Sequence, residues 1–146
     1  MSDGYLSEEQ LDNLEGLVGH TPTSVEVYYW RMESEAPLLD YVQLNFDDRD
    51  AVVLRVGSIS ENVDVVSTDE LESGLERRGR AVFIKTVLQE GPKWRGLLHH
   101  VILKVTLKDE KGYAHSSIVF HTAAGATEIT TGVDVLEVIP PAGSDL

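Results

Sequence analysis

Four of the chain's five histidines, His99, His100, His115 and His121, fall within the stretch GLLHHVILKVTLKDEKGYAHSSIVFH. Imidazole is a common metal ligand and titrates near neutral pH, so metal binding and acid–base work are the chemistries to weigh. The stretch alternates like a two-stranded ribbon that turns over 108–112. Such a turn sets Leu107 opposite Tyr113. Stepping outward by two, it pairs Val105 with His115, Leu103 with Ser117, Val101 with Val119 and His99 with His121. His99 and His121 then carry neighbouring Cβ atoms on one face and can reach a shared divalent ion, zinc or nickel being the first to test. His100 points to the other face, and His115 lies further down the ribbon. A catalytic zinc takes about three protein ligands plus an open position, and no third ligand stands at a diagnostic spacing. The plainer reading is a cross-strand aromatic pair that belongs to the scaffold. It is sensitive to register, because a one-residue slip sends His121 to the side opposite His99. A neighbouring histidine pair would also respond to acidification, since like charges repel.

Other groupings are weaker. The segment ERRGR supplies Arg77, Arg78 and Arg80, and the connection 88–96 adds Lys93 and Arg95 around Trp94. This basic concentration with an aromatic residue could hold a phosphate or a nucleic-acid strand by charge and stacking. Arginines at a helix C-terminus also complement the helix dipole with no ligand at all, and no nucleic-acid motif accompanies them. The segment FDDRD invites a calcium reading, but lacks the glycine and the bidentate glutamate of an EF-hand loop, and aspartate is a standard turn residue. None of GxSxG, HExxH, GxxxxGK[ST] or GxGxxG occurs. Ser116 and Ser117 follow His115, but adjacent strand residues face opposite sides, so chain proximity implies no triad.

The elements that must position these residues are legible from periodicity. In LSEEQLDNLEGLVGH, Ser7 and Gln10 stand at capping-box spacing, and Leu6 and Leu11 at that of a hydrophobic staple. Leu11, Leu14, Leu17 and Val18 form one apolar stripe, Glu8 and Glu9 suit the positive helix end, and Gly19 suits its stop. A helix over 8–18, packed on a sheet, is predicted. Strand patterns follow in SVEVYYWRM, LLDYVQLNF, AVVLRV and ENVDVV, the second and third forming a hairpin about 47–50. In the second, Leu38, Val42, Leu44 and Phe46 share one parity and Asp40 is the exception. STDELESGLERRGR predicts a short helix, capped at Ser67, interrupted at Gly74 and ended near Gly79. AVFIKTV, LLHHVILKVTL, YAHSSIVFH and ATEITTGVDVLEV read as further strands. Short connections favour antiparallel pairing. The fold expected is α+β: one antiparallel, strongly curved β-meander of about seven or eight strands, with an N-terminal helix packed on it and one short second helix. Residues 1–146 read as a single domain, with 1–5 and 140–146 as flexible tails.

Composition narrows the function. The chain has no cysteine, which removes disulfides, thiolate metal sites and cysteine nucleophiles. No apolar run approaches the roughly 18 residues that cross a bilayer, and the first residues lack the pattern of a secretory signal, so a cytoplasmic location is expected. The net charge of −13 is uneven: residues 1–76 hold 18 acids against 3 bases, and residues 77–146 hold 7 acids against 9 bases. Such a field disfavours nucleic acid and anionic membranes and speeds encounter with basic proteins. It serves solubility equally well.

The reading is a non-catalytic, bacterial-type protein-binding module that docks a basic partner, an immunity-type inhibitor of a basic toxin or nuclease being one concrete version by analogy of charge and size. Its binding residues would be Glu33, Glu35, Asp40, Asp47, Asp48, Asp50, Asp69, Glu70 and Glu72, and it implies no cofactor. The alternative is a small-molecule or divalent-metal protein that uses the concave side of a curved sheet near His99, His121, Tyr28, Trp30 and Trp94. A homo-oligomer joined through sheet edges is a third possibility.

Overall fold

Ser7 closes the first helix as its spacing from Gln10 requires. In the computed structural model, which describes residues 7–30, 38–56, 63–79, 83–108, 117–131 and 136–141, Ser7 Oγ accepts the Gln10 amide at 3.2 Å and Gln10 Oε1 accepts the Ser7 amide at 2.8 Å. Helix α1 runs Glu8–Glu15, shorter than predicted. Beyond it the Leu17 and Val18 amides donate to Leu14 and Glu15 in a tighter turn, and Gly19 at φ 91 ends the segment. Leu14 and Leu17 are buried while Val18 faces out, because the stripe loses its phase where the helix stops. Leu6, the other half of the staple, lies outside the described residues.

Nine strands follow among the described residues: β1 Pro22–Trp30, β2 Leu38–Phe46, β3 Val52–Val56, β4 Val63–Val66, β5 Phe83–Leu88, β6 Lys104–Lys108, β7 Ser117–Thr122, β8 Gly125–Thr131 and β9 Leu136–Ile139. They form two antiparallel sheets, ordered β4-β3-β2-β1-β5 and β6-β7-β8-β9. The α+β class and the helix-on-sheet arrangement hold, and the single meander resolves into two. After β4 the chain crosses the first sheet as helix α2, Thr68–Arg78, and adds β5 beside β1. β4 and β5 thus run in the same direction with three strands between them, the geometry that needs a long crossover.

Two sheets arise because the first is apolar on both faces. Val25, Val27, Val42, Leu44, Leu54 and Val65 pack with Ile118, Phe120, Ile129 and Val138 of the second sheet, and with Leu14 and Leu17, into the main core. On the opposite face Tyr28, Tyr41, Val53 and Val66 meet Leu71 and Leu75 of α2. The parity exception at Asp40 is a β-bulge: Tyr28 pairs with Tyr41 and Tyr29 with Leu39, leaving Asp40 as the extra residue. An added residue swaps the faces of everything beyond it, so Leu39 instead of Leu38 joins the main core.

Helix α2 is not interrupted at Gly74. Ser67 Oγ caps it by accepting the Glu70 amide at 3.1 Å, and it ends at Gly79, φ 88. Gly74 is buried against the Tyr41 hydroxyl, and a Cβ there would overlap it. The glycine is a close-approach position, not a break.

The largest departure is in residues 92–100. They form helical turns that carry the expected connection 88–96 on into the first residues of the predicted strand 97–107, with the Leu97 and Leu98 amides donating to Trp94 O. Trp94, Leu97 and Leu98 are spaced i, i+3, i+4 and all three are buried. Gly96 lets this segment press on the second sheet: Thr122 Oγ1 donates to Gly96 O at 2.6 Å, and a Cβ on Gly96 would stand 2.7 Å from Pro141 Cδ. Pro141, inside the predicted tail, is therefore seated against the body of the protein.

Candidate binding surfaces

The acidic residues divide by the end of the first sheet on which they lie. Val53 pairs with Val66 and Leu44 with Val52, so the turn 47–51 and the start of α2 share one end. Helix α1 joins them there, since Gln10 Nε2 donates to Asp64 Oδ1 at 2.6 Å and to Val65 O at 2.7 Å. A cleft of about 610 Å³ opens between the three segments, and Glu9, Gln10, Asn13, Asp50 and Glu70 line it together with Arg49. Arg49 is the only Lys or Arg among the described residues of that lining, and it is engaged internally. Its Nε donates to Asp50 O at 3.1 Å and its guanidinium lies 5.7 Å from the centre of the Phe46 ring. Its Nη1 also approaches Gly16 at the end of α1, which has no basic residue in its own last turn.

Of the acids singled out from sequence, Asp50 and Glu70 line this cleft and Asp69 adjoins it on α2. Asp47 and Asp48 are exposed on the turn; Asp48 Oδ2 lies 2.9 Å from His20 Nδ1, and Asp47 accepts from Thr23 Oγ1 at 3.5 Å. Asp40 stands at the bulge, towards the other end of β2, and Glu72 sits further along α2 on the side of Tyr28. Glu33 and Glu35 lie outside the described residues. The sequence marks Glu9 only as a helix-end charge; its place in the cleft depends on Gln10 fastening α1 to β4.

Sequence reading missed a second polar constellation altogether. Where α2 leaves the first sheet uncovered, Glu26 Oε2 accepts Gln43 Nε2 and Asn45 Nδ2, each at 2.9 Å. Its Oε1 meets Lys85 Nζ at 2.8 Å and the Tyr28 hydroxyl at 3.5 Å. Asn45 Nδ2 also donates to Ser24 Oγ at 3.1 Å, and Asn45 Oδ1 accepts Gln43 Nε2 at 2.9 Å. Burial alone would push the Glu26 carboxyl up, but the bonds from Lys85 and Asn45 and the Lys85 charge outweigh it and hold it below its ordinary 4.5. The bond to Glu26 raises the Lys85 ammonium, while burial and the neighbouring carboxylate raise the Tyr28 phenol. A carboxylate so fully supplied with donors ties β1, β2 and β5 together and keeps little capacity for a ligand.

This network has a pH signature. A carboxyl held low when folded stabilises the protein above its unfolded value near 4.5, and that contribution is lost as pH falls through the folded value. Urea midpoints of wild type and Glu26→Gln should therefore differ most near pH 6 and converge on acidification. A constant gap would remove the carboxylate from the account.

The histidines do not form the expected pair. β6 begins only at Lys104, and it is Lys104 that stands opposite His121, with Val105 opposite Phe120 and Leu107 opposite Ile118. This register wins because it turns Val105 and Leu107 onto the main core, whereas the predicted one sets Val105 against a histidine. His121 Nε2 lies 2.9 Å from Thr106 Oγ1 on the outer face of the second sheet. His99 sits in the connection before β6 at φ 68, its amide donating to Pro22 O at 2.7 Å and its Nε2 to Gln89 O at 2.7 Å. The geometric basis for a shared ion is therefore overturned, and among the described residues no three His, Asp or Glu side chains stand together as a metal site. Trp94 and His99 do line one cleft, of about 470 Å³, with Arg95 and His100. Tyr28 lies elsewhere, under α2. The described members of the basic concentration are divided: Arg77 Nε donates to Ser73 O at 3.4 Å, Lys93 lines a cleft with Leu38 and Leu39, and Arg95 lines a different one with His99. Arg80 and His115 lie outside the described residues. No described helix is long and apolar enough to cross a membrane.

Comparison with known proteins finds no matching family model, no similar curated protein and no similar solved structure.

Proposed function

We propose that this protein is a non-catalytic docking module that holds a basic segment of a partner protein in the cleft between α1, the turn 47–51 and the first turn of α2. The observation that carries this reading is the convergence of Glu9, Asp50 and Glu70, from three separate segments, on one cleft whose Arg49 is already engaged. Asp47, Asp48 and Asp69 extend the negative field around its rim. Fields of one sign focused by a cleft raise encounter rates and select partners by charge. Inhibition of a basic toxin or nuclease is the concrete form we favour, since such a target offers lysines and arginines to a small acidic protein. A docked cationic side chain would also find the neutral Asn13 side chain beside the carboxylates.

The test separates a local site from total charge. Glu9→Lys/Asp50→Lys/Glu70→Lys and the control Glu15→Lys/Glu76→Lys/Glu137→Lys change net charge equally, and all six positions are exposed. Exposed pairs contribute about 0.2–1 kcal/mol each, so the cleft variant should bind an arginine- and lysine-rich peptide roughly tenfold more weakly than wild type. The control should lose only a small part of that. Equal losses in a fluorescence-anisotropy titration would reduce the cleft to a share of the general field and end the proposal.

A further inference from the structure

Two open sheets have four edges, and three of those described here are obstructed. β4 gives its Val65 carbonyl to Gln10 Nε2 at 2.7 Å. Ahead of β6 the Leu103 amide donates to His121 O on the β7 side, so the Ile102 groups point outward, where they bond Gly19 N–H at 2.8 Å and His20 O at 3.0 Å. β9 is four residues long and runs into Pro140 and Pro141, beside Leu38 and Leu39 of β2. Short strands, prolines and covering segments are how sheets blunt their edges. β5 has none of these. It pairs with β1 over six residues without a bulge, contains no proline, and exposes Lys85, Thr86 and Val87. Its one charge is turned back onto its own sheet: Lys85 Nζ meets Glu26 Oε1 at 2.8 Å and lies 5.8 Å from the centre of the Tyr28 ring. We infer that β5 pairs antiparallel with β5 of a second copy of this chain, joining two five-stranded sheets into one.

The register follows from symmetry. In an antiparallel pair related by a twofold axis, one residue stands opposite its own copy. Two registers overlap most of β5, centred on Lys85 or on Thr86. The first opposes two ammonium groups, which is destabilising. The second sets Thr86 against Thr86, Ile84 against Leu88 of the copy, and Lys85 against Val87 of the copy. Ile84, Thr86 and Leu88 share the sheet face of Tyr29, Val27 and Val25, so this pairing continues the apolar rows of the main core across the junction. On the other face Val87, 54% exposed, is covered by the alkyl stem of Lys85 from the copy. β4 lies at the far edge of the same sheet, so the acidic cleft stays open in the dimer and neither proposal depends on the other.

Light scattering after gel filtration of the full chain tests the pairing. Loaded at concentrations from about 10 μM to about 1 mM, the mass should rise from 16.1 kDa towards twice that, since one strand pair is a small interface. Salt should favour the dimer, because two copies of charge −13 repel. Val87→Lys, at an exposed position, sets lysine against lysine on both sides of the axis and should weaken association by about tenfold. Val87→Glu sets a carboxylate against each Lys85 and should tighten it several-fold. Overall charge predicts the reverse order, because the lysine reduces the net charge and the glutamate adds to it. A wild-type chain that stays at 16.1 kDa throughout, a dimer indifferent to Val87→Lys, or variants that follow the order of overall charge would each overturn the inference.

Discussion

Phe120→Ala is expected to lower the free energy of unfolding by about 3–5 kcal/mol, the range for truncating a fully buried aromatic residue. Phe120 is completely buried on β7, between Val105 of β6 and Thr127 of β8, and belongs to the cluster that joins the two sheets. Among the described residues no strand of one sheet pairs with a strand of the other, so side-chain contact across this layer is what holds the two together. A cavity there removes transfer energy and leaves Leu54, Ile118 and Ile129 with fewer partners. A domain of this size has about 5–15 kcal/mol in total, so the variant would sit near the edge of folding. Urea unfolding measures the loss. Phe120→Leu, which keeps most of the volume, should cost about 1.5 kcal/mol or less, and Leu103→Ala, at 59% exposure, should stay within about 0.5 kcal/mol. A Phe120→Ala variant as stable as Leu103→Ala would mean that the two sheets do not share this core.

The second large effect runs against local propensity. Replacing an ordinary helix-interior glycine with alanine gains about 1 kcal/mol. At Gly74 the new Cβ would overlap the Tyr41 hydroxyl. Tyr41 has no room to yield, because its ring lies between Tyr28, 6.3 Å away edge-on, and Phe83, 6.2 Å away. Either α2 lifts from the sheet or the aromatic cluster repacks, and Gly74→Ala should lose about 1–3 kcal/mol. Tyr41→Phe removes the obstructing oxygen, so in that background the same substitution should be neutral or stabilising. A double-mutant cycle in urea reads the difference directly. If Gly74→Ala stabilises the wild-type chain, helix α2 does not pack as described.

The corrections share one physical origin. The Asp40 exception to strand parity was visible in the sequence, but reading it as a bulge requires the partner strand. Trp94, Leu97 and Leu98 carry helical spacing after Gly91 and Pro92, a signal masked by the β-branched run that follows. The histidine register failed because alternation leaves the slip between two strands open, and only the demand that Val105 and Leu107 reach the core closes it. The acidic set was legible as a composition, yet neither its division between the two ends of the sheet nor the inclusion of Glu9 was.

What the sequence determined by itself is the chemistry that acts within a few residues. Ser7 and Ser67 cap their helices, Gly79 ends the second, and alternating segments become strands, because a capping hydroxyl or a strand's alternation needs only near neighbours. Tertiary structure alone decided that the strands divide into two sheets and that Gly74 and Gly96 are points of close approach. It also decided that Glu9, Asp50 and Glu70 share a cleft while His99 and His121 do not share a face. These depend on which distant surfaces bury one another, and burial is a property of the assembled core that no local pattern specifies.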